Sequence, residues 1–130
     1  MLDDRTTIAR LELTLPPDGP SVRVARHEVE RVVAGYPEDV KTTVVLLTSE
    51  LASNAVVHGQ TAFTVRAHAD RSVVHVAICD SGGRQPAIVA REATTKGGWG
   101  LSMVDAIASR WGIDADGTTT VWFEIDVDLR

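Results

Sequence analysis

Three polar residues stand where a helix is ordinarily apolar. In the run LLTSELASNAVVHG, residues 46–59, Glu50, Asn54 and His58 are spaced i, i+4, i+8, so they form one column along a single helix face. At about 100° per residue, the apolar positions Val40, Val44, Leu47, Leu51 and Ala55 define the buried stripe. Asn54 and His58 fall inside that stripe, and Glu50 lies on its shoulder, roughly 40° from Asn54. A carboxylate taken out of water without a partner costs several kcal/mol, so a polar group of protein or ligand should meet this column. A single buried Asn or His is most often a core group bonded to backbone; a column of three that includes a carboxylate points to a site.

Two further features join it. Asp80 continues in register the apolar face of Val74, Val76 and Ile78 and is followed by Ser81-Gly82-Gly83; the alternative reading is a strand-end Asp that opens a turn. Gly97-Gly98-Trp99-Gly100 precedes a helical pattern beginning at Leu101, where free N–H groups and the helix dipole favour a phosphate. A buried Asp suits an exocyclic amine such as that of adenine. An Asn beside a phosphate chain offers an amide oxygen to Mg²⁺, and Glu50, one turn earlier, is placed to accept a proton from an attacking hydroxyl or water.

The elements that must position these groups read as follows. Residues 7–15 alternate, with Ala9, Leu11, Leu13 and Leu15 opposite Arg10, Glu12 and Thr14, which predicts a half-buried strand ended by Pro16-Pro17. A first helix is expected from Ser21 as N-cap, with Val22, Ala25, Val29, Val32 and Val33 inward. Gly35-Tyr36-Pro37 breaks it. The second helix runs from residues 37–39 to Gly59, expected as its C-terminal stop. Strands at 62–69 and 73–80 form a hairpin around Asp70-Arg71-Ser72. Residues 81–98 lack periodicity and are expected as a lid, with room for a short helical turn near 87–93. The third helix is expected to carry Leu101, Val104, Ala108 and Trp111 as its stripe and to close at Gly112. Strands near 113–116 and 118–128, joined at Asp116-Gly117, finish the chain, with Thr119, Val121, Phe123, Ile125, Val127 and Leu129 inward.

The order β-α-α-β-β-lid-α-β-β predicts an α/β two-layer sandwich: a mostly antiparallel mixed sheet covered on one face by three helices. The other face, with Thr64, Arg66, His68, His75, Trp122 and Glu124, should be solvated or used for contacts. At 130 residues one domain, 1–130, is expected. A net charge of −5 without a Lys/Arg run disfavours direct nucleic-acid binding. No apolar run approaches the ~20 residues of a membrane span, and the N-terminus does not read as a signal peptide. The lone Cys79 forms no internal disulfide and organises no metal site by itself. A cytoplasmic location is the expectation.

The motifs together resemble the GHKL ATPase/kinase superfamily, with its Bergerat ATP-binding fold. Glu50-x-x-x-Asn54-Ala55-x-x-His58-Gly59 is similar to its N-box, Asp80-x-Gly82 to its first glycine box and Gly98-x-Gly100-Leu101 to its second. Across essentially the whole chain the resemblance is to the bacterial anti-sigma-factor serine-protein kinases. It implies ATP and Mg²⁺ as cofactors, Asn54 as the metal ligand, Asp80 at the adenine amine, Gly82 of the first glycine box as nucleotide-binding, and Gly98, Gly100 and Leu101 approaching the phosphates by their backbone. Glu50 would be the general base, and Thr119 the threonine near adenine, in a run with one extra Thr. The implied partners are a sigma factor, to be sequestered, and a STAS-domain antagonist whose serine takes the γ-phosphate; a homodimer is compatible with it. These 130 residues contain neither the phosphoacceptor-helix domain of an autonomous histidine kinase nor the transducer domain of the topoisomerases and chaperones of the superfamily. Two departures stand out. Arg84 replaces the last glycine of the first box, and Trp99 sits between the glycines of the second, which keeps a non-catalytic nucleotide-binding partner-switching module as the alternative. Lys96 and Arg84 are either phosphate-directed cations or solvated lid residues, and His58 is read as structural.

Overall fold

Burial alternates along β1 (Ala9–Leu15) as its sequence does, up to the buried Leu15, in a computed structural model that describes residues 5–59, 61–81, 101–115 and 117–129. The remaining elements are α1 (Gly19–Val32), α2 (Glu38–Asn54), a π-helical turn (Ala55–Gly59), β2 (Phe63–Ala69), β3 (Val73–Asp80), α3 (Ser102–Ile107), β4 (Arg110–Ala115) and β5 (Thr119–Asp126). The strands form one sheet in the order β1-β2-β3-β5-β4, and all four pairings are antiparallel. On one face α1 lies over β1 and β2, α2 over β3 and β5, and α3 against α2 and β4. The chain is therefore the two-layer α/β sandwich expected.

The core fills the space between the layers. Phe63, Val65, Val74, Val76 and Phe123 of the sheet meet Val29, Val44, Leu47 and Leu51 of the helices, all of them at 2% exposure or less. Truncating a central ring such as Phe123 to Ala should cost about 3–5 kcal/mol, because a packed interior collapses only partly onto the void.

Three boundaries differ from the sequence reading. The N-cap of α1 is Asp18, not Ser21: the Asp18 carboxylate accepts from the Ser21 amide at 3.0 Å and from the Ser21 hydroxyl at 2.7 Å. Gly19 and Pro20 thus fall in the first turn, where a missing proline N–H costs nothing. The α-helical part of α2 ends at Asn54, and the last five residues to Gly59 are π-helical. The third correction concerns α3, which stops at Ile107, with Ala108 already extended at φ −66°, ψ 147°. Ala108 and Trp111 therefore do not extend the α3 stripe, and Gly112 does not close it. Residues from Arg110 onward pair with β5 instead, Arg110 opposite Glu124 and Trp111 opposite Phe123. The Ser109 amide bonds to the Glu124 carbonyl at 2.9 Å, and the Arg110 guanidinium bonds to both Glu124 and Asp126. Sheet pairing outweighs a helical spacing that alternation in Trp111, Ile113 and Ala115 also satisfies. At the β4–β5 turn, Gly117 has φ +76°, a backbone that residues with a Cβ rarely adopt.

α2 is secured at its start. The Tyr36 hydroxyl, in the α1–α2 connection, donates to the Asp70 carbonyl at 2.6 Å. Asp70 itself holds the β2–β3 turn by accepting from the Ser72 amide, the Ser72 hydroxyl and the Val73 amide at 2.8–2.9 Å. The opposite sheet face is a cross-strand lattice. His68 stacks on His75 at 5.0 Å and His75 on Trp122 at 5.8 Å, and the His75 Nδ1 lies 3.0 Å from Glu124.

Candidate nucleotide site

The site is assembled where α2 leaves the core at the far end of β3. Glu50, Asn54 and His58 are all half-buried, so the column runs along the margin of the apolar stripe rather than within it. Asn54 is the exception atom by atom. Its Nδ2 is fully buried and, among the described residues, has no hydrogen-bond partner. Thr48, one helical turn and a half earlier, shows the contrast: it is fully buried, yet its hydroxyl donates to the Val44 carbonyl at 2.8 Å.

The period of two carries Asp80 to the helix-covered face, as expected, at 5% exposure. In the ladder it stands between Phe63 of β2 and Thr119 of β5. Thr119 is 1% exposed, and its Oγ1 also lacks a partner among the described residues. Register separates the threonines of the run: Thr119 faces inward opposite Asp80, while Thr120 pairs with Cys79 on the other face. The π turn brings Gly59 against the Asp80 carboxylate. Leu101 precedes α3 and is 1% exposed, part of the core. Gly82, Gly98 and Gly100, with Arg84, Lys96, Trp99 and the lid expected at 81–98, lie outside the described residues, apart from Ser81.

An orphaned buried polar atom costs about 1–3 kcal/mol, and here two occur around one layer. Asn54 would donate from Nδ2 to a phosphate oxygen and offer Oδ1 to a hard divalent cation; the donor set fits Mg²⁺. Thr119 would both donate and accept beside the Asp80 acceptor, which suits the amine-bearing edge of a purine. Among the described residues no group of three or more His, Cys, Asp or Glu is placed to hold a metal ion. The π turn is the feature that the sequence concealed. An α and a π turn differ by one residue in five, below what hydrophobic spacing resolves.

The two-layer sandwich, with Thr119 and Gly59 set against Asp80 at one end of the central strand, is a Bergerat-like ATP-binding fold. Comparison with known families agrees: the family described as the histidine kinase-like ATPase domain matches residues 15–125. The chain belongs to that family. In structure it is similar to the RsbU and RsbW domains of Rv1364c from Mycobacterium tuberculosis, with a TM-score of 0.70 at 24% identity over 90% of this chain. The chain spans about a third of the length of that one, 32%. No curated protein matches in sequence. Among the described residues no helix is long and apolar enough to cross a membrane.

Proposed function

We propose that this chain binds ATP with Mg²⁺ and transfers the γ-phosphate to a serine of a STAS-domain antagonist, and that it sequesters a sigma factor. The observation that carries the nucleotide part is the pair of buried orphan atoms, Asn54 Nδ2 and Thr119 Oγ1, with Asp80 directly across the ladder from Thr119. The kinase and partner assignments rest on Glu50 one turn before Asn54, on the glycine boxes at Gly82, Gly98 and Gly100, and on the likeness to a chain that contains an RsbW domain.

In this reading Asp80 accepts from the adenine amine, and Thr119 completes the contact to the same edge. Asn54 would hold the metal through its amide oxygen, and the metal would supply charge neutralisation at the phosphates. Gly98, Gly100 and Leu101 approach the phosphates by their backbone. Glu50 accepts the serine proton as the serine oxygen bonds to the γ-phosphorus and the bond to the ADP oxygen breaks. Positioning and charge neutralisation supply most of such a reaction, so one small domain suffices.

Phosphate incorporation into a STAS-domain partner, with labelled ATP and Mg²⁺, is the test. Glu50→Ala should lower transfer by about 10²–10⁴ while leaving ATP affinity within about twofold. A wild type that binds ATP but labels no partner supports the second reading, a non-catalytic nucleotide-binding module, which Arg84 and Trp99 favour.

A further inference from the structure

Gly59 was expected to be glycine because it ends a helix, where glycine commonly adopts positive φ. It does not: Gly117 is the positive-φ glycine among the described residues. The backbone at Gly59 is thus one that alanine can adopt, and something else requires the missing side chain. A Cβ on Gly59 would lie 2.9 Å from Asp80 Cγ, 2.9 Å from Oδ2 and 3.3 Å from Oδ1. Carbon atoms pack at about 3.5–4.0 Å, so the Asp80 carboxyl group occupies the space that a side chain at Gly59 would need.

That contact matters because the terminal torsion of Asp is broad and roughly two-fold. Its neighbours, not its own bonds, decide where the two oxygens point. Asp80 has Phe63 on one side and Thr119 on the other, both part of the rigid ladder; Gly59 closes a third side from the helical layer. The π turn delivers it there. Its i→i+5 bonding widens the helix by one residue just before the contact.

From this the geometry points to Gly59 as the positioning residue for Asp80, and hence as a determinant of selectivity for the 6-amino group of the purine. The inference rests on the proposed role of Asp80 at adenine. A methyl at Gly59 would turn or displace the carboxylate, and a hydrogen bond confined to 2.7–3.2 Å does not survive such a shift.

The test uses calorimetry with ATP and with purine riboside triphosphate, which lacks the 6-amino group. In wild type, ATP should bind more tightly than the analogue. Gly59→Ala should weaken ATP by about tenfold or more, the worth of one hydrogen bond to a charged group, and leave the analogue within about twofold. Unchanged ATP affinity, or a parallel loss for both ligands, overturns the inference. If wild type itself fails to distinguish the two ligands, the reading of Asp80 fails and takes this one with it. Should Gly59→Ala not fold, the double variant with Asp80→Ala decides, because removing the carboxylate makes room for the methyl. That double variant should melt within a few degrees of Asp80→Ala alone; if it does not fold either, collision with Asp80 is not why Gly59 is glycine.

Discussion

Two buried aspartates bound the β3 segment, and they have different neighbours. Asp70, before the strand, is 7% exposed and is saturated by its own turn: two amides and a hydroxyl within 2.9 Å. Burial pushes its carboxyl up, but the hydrogen bonds from Ser72 and Val73 outweigh that and hold it below the ordinary carboxylate range. Asp80, at the other end, is equally buried, and its cross-strand neighbour Thr119 carries a hydroxyl with no partner among the described residues. Burial of a carboxylate therefore does not mark a site. In the function proposed above, the distinguishing mark is a buried carboxylate beside a hydroxyl that has no partner among the described residues, whose desolvation a ligand would offset.

The contrast between the two ends can be broken by substitution. Asn54→Ala should have the largest effect, a loss of Mg²⁺-dependent ATP affinity of about 100-fold or more by calorimetry, since it removes a charged-group hydrogen bond and a metal ligand together. Its thermal midpoint should not fall, because Nδ2 has no partner to lose among the described residues. An unchanged affinity would remove Asn54 from the site. Next come the aspartates as a pair. Asp80→Asn should weaken ATP by about tenfold, and Asp70→Ala should cost about 1–3 kcal/mol in denaturant unfolding with ATP affinity intact. If both variants moved the same observable, the distinction drawn between the two ends would be wrong.

The smallest effect concerns the opposite sheet face. Burial, and then the neighbouring His75, lower the His68 pKa; Asp70 and Glu124 pull the other way, and Arg10 adds to the lowering. The folded chain therefore takes this proton at lower pH than the unfolded chain. Stability should fall as pH drops through about 6.5 and below. His68→Gln should flatten the thermal midpoint between pH 7.5 and 5.5 without altering ATP affinity, whereas an equally steep profile would exclude His68 as the source.

Strand register was the most legible part of the chain. A period of two leaves no freedom, so the inward face of Val74, Val76, Ile78 and Asp80 followed directly, as did that of Thr119, Val121, Phe123 and Ile125. The column Glu50, Asn54, His58 was legible only in part: the i, i+4, i+8 spacing gave a shared face, but the structure sets that face at the half-buried margin of the apolar stripe, not inside it. Three features were hidden because two local solutions compete. Asp18 and Ser21 are both good caps, and only the Asp18 carboxylate reaching forward to Ser21 decides between them. Trp111 fits a helix or a strand, and its indole N–H reaches Asp105 at 2.9 Å from the strand. At Gly59 the cause lies on β3, 21 positions along the chain, where no local pattern can report it.

The hydrogen bond from Tyr36 to the Asp70 carbonyl has a mechanical consequence. α2 has 17 residues, a rod of about 25 Å, and β3 has 8, a span of about 27 Å. The two lie one over the other with nearly matched lengths, fastened at the Tyr36 end. Such a rod is a lever whose fulcrum is the tyrosine and whose working tip is Asn54. A rotation of about 1° at the fulcrum moves the tip by about 0.4 Å over that length, close to the ~0.5 Å within which a functional group must be held. Tyr36, remote from every residue proposed for the nucleotide, thereby sets the aim of Asn54.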